Sequence, residues 1–178
     1  MSAKTTLCVA GASGLVGSNI TKAALARGYA VHGTLRDCHA PDKAPYLNAL
    51  PAAQENLNLF SADMADDGAF DAALTGTDCV FIACLIPVYA GPCGKPAREM
   101  DDEQGYAEII NPTVNGCLNI MRSAHRQGIR KIVICSSTSS TNPAPPVAVK
   151  NEIEHWSDEI EQCRAKKYTS ATKTIMEK

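Results

Sequence analysis

The chain has 178 residues, 45% of them hydrophobic, enough for one domain with a real core. Its 17 Lys and Arg against 19 Asp and Glu give a net charge of −2, so no basic surplus exists for nucleic acid or an anionic membrane. No apolar run is long enough to span a bilayer, and the first strand starts too early to leave room for a signal peptide, which predicts a cytoplasmic protein.

The apolar run Leu7-Cys8-Val9-Ala10 reads as a strand, and Gly11-Ala12-Ser13-Gly14-Leu15-Val16-Gly17 follows it directly. Gly11 lets the chain leave the strand with backbone angles that a Cβ opposes. Gly14 lets the backbone approach a phosphate, and Gly17 lets the next helix pack closely on the strand. Ser13 adds a hydroxyl. The helix Gly14 to Arg27 carries apolar residues at Leu15, Val16, Ile20, Ala23, Ala24 and Leu25, with Gly28 as its C-cap. A strand, glycine turn and helix in this order offer a helix N-terminus to a pyrophosphate. Gly11, Ser13, Gly14, Leu15, Val16 and Gly17 are therefore the expected dinucleotide contacts. A triphosphate-binding loop would need Lys after the last glycine, where Ser18 and Asn19 stand.

Tyr29 to Leu35 is the second predicted strand. Arg36 at its end suits a ribose 2′-phosphate and favours NADP, while the adjacent Asp37 keeps NAD open. A third strand is predicted over Asn56 to Phe60, a helix over Ala65 to Leu74, and a fourth strand over Cys79 to Cys84. Ala83 and Cys84, at the end of strand four, are expected beside the cofactor. The Pro- and Gly-rich segment Ile86 to Met100 reads as a loop beside the site. Glu103 to Gln127 reads as a long helix ending at Gly128, with Pro112 predicting a kink or a local break. Arg130 to Cys135 is the fifth strand, and Thr138 to Pro146 is irregular. The alternation predicts one α/β domain over residues 1–178, a doubly wound parallel sheet of order 3-2-1-4-5 with the ligand above strands one and four.

Eight cysteines are scattered at 8, 38, 79, 84, 93, 117, 135 and 163 without a Cys-x-x-Cys pair, and read as reduced thiols. His32, His39, His125 and His155 lack ligand spacing, so no metal is expected.

Strand five runs into Ser136-Ser137-Thr138, and Tyr168 and Lys173 come later. A serine, a tyrosine and a lysine beside a nicotinamide make a carbonyl-reduction site. The serine bonds the carbonyl oxygen and the tyrosine protonates it. A free phenol titrates at about 10, so a nearby ammonium is needed to stabilise the phenolate.

On these residues the chain resembles the extended short-chain dehydrogenase/reductases, and within them the branch of dihydroflavonol 4-reductase, cinnamoyl-CoA reductase and anthocyanidin reductase. The resemblance covers almost the whole chain. It rests on Gly11 to Gly17, Arg36 before an Asp, Ala62-Asp63-Met64, Asn111-Pro112-Thr113, Gly116, Ser136-Ser137, Trp156-Ser157-Asp158, Cys163-Arg164-Ala165-Lys166-Lys167 and Lys173-Thr174. It implies a Rossmann fold, NADPH, reduction of a ketone or aldehyde, Ser137 as the hydroxyl of a Ser137–Tyr168–Lys173 triad, Asp63 and Met64 near the adenine, and Asn142 facing the substrate.

Two departures stand out. The family spaces its tyrosine and lysine as Tyr-x-x-x-Lys, but Thr169 is four residues before Lys173 and Tyr168 is five before it. Five residues is about 140° around a regular helix. Either the helix begins late and Tyr168 reaches the site from a non-helical entry, or Thr169, a poor proton donor, fills the position. Family members also continue well past the residue matching Lys178, so strand five would present a bare edge. That predicts a fragment of a longer reductase, or a chain that covers this edge by self-association. The alternative function is a non-catalytic NADP-binding or sensing module. The substrate is not legible.

Overall fold

The computed structural model describes residues 4–85 and 88–178; Ile86 and Pro87, where the predicted loop after strand four begins, lie outside the described residues. The residues form two compact units, Met1–Leu85 with Gly116–Cys135, and Ile86–Asn115 with Ser136–Lys178.

The first unit is built on five parallel strands: β1 (Thr6–Ala10), β2 (Ala30–Leu35), β3 (Leu57–Ser61), β4 (Cys79–Ile82) and β5 (Lys131–Ile134). Their order is β3-β2-β1-β4-β5, as the alternation predicts. Burial follows position. Central β1 keeps Cys8, Val9 and Ala10 fully buried, whereas edge strand β5 leaves Lys131 exposed and Val133 49% exposed. Helix α1 (Leu15–Ala26) presses Ala24 and Leu25 onto Val9, Val31 and Leu35. It ends at Gly28, which adopts φ +82° while the Tyr29 amide returns to the Ala24 carbonyl.

Two short helices, α2 (Ala44–Asn48) and α3 (Ala53–Asn56), fill the β2–β3 connection, where the sequence pattern predicts none. The predicted helix Ala65 to Leu74 contracts to α4 (Asp71–Leu74). Gly68 at φ +76° interrupts it, and the Asp63 carboxylate accepts from the Ala65 amide, closing a turn instead.

In the second unit α5 (Asp102–Gly105) starts on an Asp101 cap that accepts from the Gln104 amide at 2.8 Å. Tyr106–Ile110 then widens into a π-helical turn before α6 (Asn111–Arg126). This is the irregularity that Pro112 predicts. Proline has no N–H to offer the carbonyl four residues back, and the wider turn accommodates it. Only the first turn of α6 belongs to this unit. Helix α7 (Glu159–Arg164) is capped by Asp158, whose carboxylate accepts from the Ile160 and Glu161 amides. It leads into α8 (Tyr168–Glu177). Met100, Ile109, Ile110, Cys163, Tyr168 and Ala171 form the core of this unit. Among the described residues no helix is long and apolar enough to cross a membrane.

Candidate cofactor edge and reactive cluster

The carboxyl edge of the first unit's sheet is shaped by backbone. Gly11 leaves β1 at φ +85°, and a Cβ there would lie 2.8 Å from the Cα of Cys84, so the turn lies directly against the end of β4. The turn is pinned to β2: the Gly11 amide donates to the Thr34 hydroxyl at 3.1 Å and the Ala12 amide to the Thr34 carbonyl at 2.9 Å. A Cβ on Gly17 would come within 2.1 Å of the Gly11 carbonyl oxygen, so no other residue fits there. Gly14 is the N-cap of α1. No side chain caps this helix, and its first turn holds no acidic residue. A Cβ on Gly14 would touch only the Gly11 oxygen, at 3.5 Å. The amides of the first turn thus take no side-chain cap, and the positive end of the helix dipole stands behind Gly14. Leu15 and Val16 are exposed there and Ser13 is half-buried.

Neighbouring strand ends extend this edge. Arg36, one residue past β2, is exposed. The Asp37 carboxylate turns back to accept from the His39 amide at 2.9 Å. Asp63 and Met64 follow β3. The Met64 carbonyl accepts from the Asn119 side chain at 3.0 Å, and Gly116 makes room for the Met64 side chain, whose Cγ would lie 2.8 Å from a Cβ. Ala83 donates its amide to the Ala10 carbonyl at 2.9 Å. Each of the expected cofactor contacts, from Gly11 to Cys84, therefore stands at one end of one sheet.

The second unit is shaped by side chains. Ser137 is exposed at the start of a 3₁₀ turn, Thr138–Thr141, and its hydroxyl accepts from the Ser139 amide at 3.2 Å. Asn142 is exposed, with its side-chain oxygen 2.5 Å from the Lys150 ammonium. Helix α8 is regular from Tyr168 onward, with Lys167 as its N-cap. The non-helical entry that would have let Tyr168 reach toward Lys173 does not form, because Tyr168 is already the first helical residue.

Tyr168 is fully buried, and its ring lies so close to Gly105 that a Cβ there would be 2.4 Å from it. Its hydroxyl donates to Asp102 at 2.8 Å and accepts from Lys166 at 3.0 Å, while Lys166 also pairs with Asp102 at 2.8 Å. Hydrogen bonds from Lys166 and then Tyr168 hold the Asp102 carboxyl below its usual range, and burial first of all pushes the Tyr168 phenol up. Lys173 is 5% exposed. It lines a cavity of about 10 Å³ with Val88, Ile109, Thr113, Thr169 and Thr172, room for a single water. The Thr169 hydroxyl donates to the Val88 carbonyl. So Thr169 shares a cavity with Lys173, as its four-residue spacing requires, and Tyr168 points elsewhere.

A sequence profile described as NAD(P)H-binding matches residues 11–176. The chain belongs to that family. It is 35% identical over 176 residues to the bifunctional dihydroflavonol 4-reductase/flavanone 4-reductase of Pyrus communis, covering 96% of this chain and 47% of that protein. Vestitone reductase from alfalfa superimposes with a TM-score of 0.69 at 27% identity, over 98% of this chain and 50% of that one. Gre2 of Candida albicans, solved in complex with NADPH, shares the fold with a TM-score of 0.70 at 24% identity, over 97% and 51%. The chain thus spans about half the length of these relatives.

Within this NAD(P)H-binding chain, the pairing of Asp102 with Lys166, the partners of Tyr168, carries no signal in the sequence, because 64 residues separate them. Ser157 is legible there only as part of the family resemblance. In the structure its hydroxyl donates to the Ser139 carbonyl at 2.6 Å and accepts from the Asn142 amide at 2.8 Å, tying down the turn after Ser137. Gln162 adds a bond to the same carbonyl at 2.9 Å.

Proposed function

We propose that the chain is the cofactor-binding part of an NADPH-dependent reductase that turns a ketone or aldehyde into an alcohol. One observation carries the reading: α1 starts uncapped behind Gly14, on a turn where Gly17 touches the Gly11 carbonyl, which fits a pyrophosphate. Arg36 would pair with a 2′-phosphate, and the engagement of Asp37 in its own turn favours NADPH over NADH. Asp63 and Met64 would lie by the adenine, and Ala83 and Cys84 along the cofactor. NADPH, when bound, supplies a hydride to the carbonyl carbon. Ser137 would donate a hydrogen bond to the carbonyl oxygen, Lys173 would hold the nicotinamide ribose and stabilise the proton donor, and Asn142 would face the substrate. The proton ends on that oxygen. Tyr168 can give it only after leaving Asp102. The 35% identity to the pear enzyme supports a substrate of the dihydroflavonol class.

A second reading, cofactor binding with little or no turnover, is favoured by the burial of Tyr168 and by Thr169 standing beside Lys173. Titration of NADPH fluorescence tests the shared core. A saturable change below millimolar cofactor is expected, and its absence sinks both readings. Arg36→Ala should weaken NADPH by about tenfold, 1.4 kcal/mol, and leave NADH nearly unchanged. Tyr168→Phe and Thr169→Val, assayed on a panel of carbonyls, then separate the two readings. If neither alters reduction, the catalytic one fails.

A further inference from the structure

We propose that Asp102 and Lys166 are positioning residues that pin the Tyr168 hydroxyl away from Lys173, so that position 169, one helical turn before Lys173, is the one left to serve it. The inference rests on the reading above that Lys173 serves a proton donor. Three observations carry it.

First, the phenol is held from two sides: it donates to Asp102, with the Met100 carbonyl at 3.4 Å as a second acceptor, and accepts from Lys166, while its ring packs on Gly105. Second, Asp102 opens α5 behind the Asp101 cap, so a short side chain on a fixed helix start delivers the carboxylate. Third, Lys166 stands at φ +56° where α7 ends, with its amide on the Cys163 carbonyl and the Lys167 amide on the Gln162 carbonyl. Glycine is the favoured residue at such a helix end, and a lysine there is strained in its backbone. What lysine adds is the ammonium that bridges Asp102 and Tyr168 at 2.8 and 3.0 Å.

The lock is tested on the full chain carrying ¹³Cζ-tyrosine, with the Tyr168 resonance assigned by its loss in Tyr168→Phe. Asp102→Asn should shift that resonance and lower the pH at which the phenol titrates. Lys166→Gly, which keeps the helix end, should raise it. A resonance unmoved in both variants overturns the proposal. The positional consequence is tested by exchanging the two residues, Tyr168→Thr with Thr169→Tyr. Carbonyl reduction should rise on the order of 100-fold over the parent, the lower contribution of a placed general acid, whereas Tyr168→Thr alone should gain nothing. An exchange variant that keeps its circular dichroism and binds NADPH like the parent, yet is no faster, overturns the assignment of position 169. If the parent itself binds no NADPH, the functional reading fails, and the resonance measurements still decide the lock.

Discussion

The two units carry their candidate chemistry in different materials. At the sheet edge of the first, the working parts are amides and the absence of side chains: Gly11, Gly14 and Gly17 leave space, and the first turn of α1 presents N–H groups. In the second, the candidate parts are Ser137, Thr169, Tyr168 and Lys173, and their use would depend on helical phase and on which group bonds which. A backbone site tolerates much change around it but no Cβ at Gly11 or Gly17. A side-chain site depends on a shift of one position: Thr169 shares the cavity of Lys173 and Tyr168 does not.

The largest effect should come from Gly17→Ala. Its new Cβ would lie 2.1 Å from a backbone oxygen, which cannot rotate away. Thermal unfolding should show a loss of about 3 kcal/mol, the upper end of overpacking costs, and NADPH titration should show no saturation. Gly116→Ala meets a side chain instead, Met64 at 2.8 Å, which can move, and should cost about 1 kcal/mol. Equal losses in the two variants would break the distinction between rigid and yielding neighbours.

Ser137→Ala probes the other material. Ser137 is exposed and, among the described residues, its hydroxyl bonds only to neighbouring Ser139, so loss of that hydroxyl should leave the unfolding temperature nearly unchanged. Any carbonyl reduction by the parent should fall by on the order of 100-fold without change in NADPH affinity. Weaker NADPH binding in this variant would show that the cofactor, not the substrate oxygen, needs this hydroxyl.

The same contrast explains what was legible in the sequence. Glycine spacing after an apolar run is local, so the turn at Gly11 to Gly17 could be read from it, and the alternation of apolar strands with helices gave the parallel sheet and its order. The irregularity at Pro112 was legible because a missing N–H is a property of one residue, although its form, a π-helical turn, was not. Helix α4 came out short because Gly68 and the Asp63 turn compete with the helical repeat at close range. The state of Tyr168 was beyond reach. Its hydroxyl is held between Asp102 and Lys166, and a pairing across 64 residues leaves no local pattern. What Ser157 bonds was equally opaque, since a buried hydroxyl tying two loop segments leaves no periodic trace.

Thiol labelling should give a smaller effect that maps the sheet edge. Cys8 is fully buried and its thiol is pushed up to about 12, chiefly by burial, so a maleimide should not reach it before unfolding, whereas exposed Cys93 should react first. Cys84 lies against Gly11, and saturating NADPH should slow its labelling severalfold, read by mass spectrometry of peptides. Unchanged labelling of Cys84 at saturating cofactor would move the ligand away from the end of β4.

The smallest effect should appear in acid. Asp102, held low by Lys166 and Tyr168, Asp71, held low by Ser123 and Arg126, and Glu108, held low by the Cys93 thiol and amide, all keep their charge to lower pH when folded. A carboxyl depressed in the folded state binds fewer protons there than in the unfolded chain, so stability rises with pH through that window. The contribution is complete above the ordinary carboxylate values, about 4, and is lost as pH falls through the depressed ones. These groups are solvent-exposed or half-exposed, so water screens each of them and the summed effect should be modest. Denaturant midpoints measured between about pH 6 and pH 3 should therefore fall gently, and less in Asp102→Asn. Asp71→Asn removes a carboxylate of the first unit, where no tyrosine hydroxyl shares the charge. If Asp102→Asn flattens the acid limb no more than Asp71→Asn does, the Tyr168 phenol adds nothing to the Asp102 pair beyond what Arg126 gives Asp71.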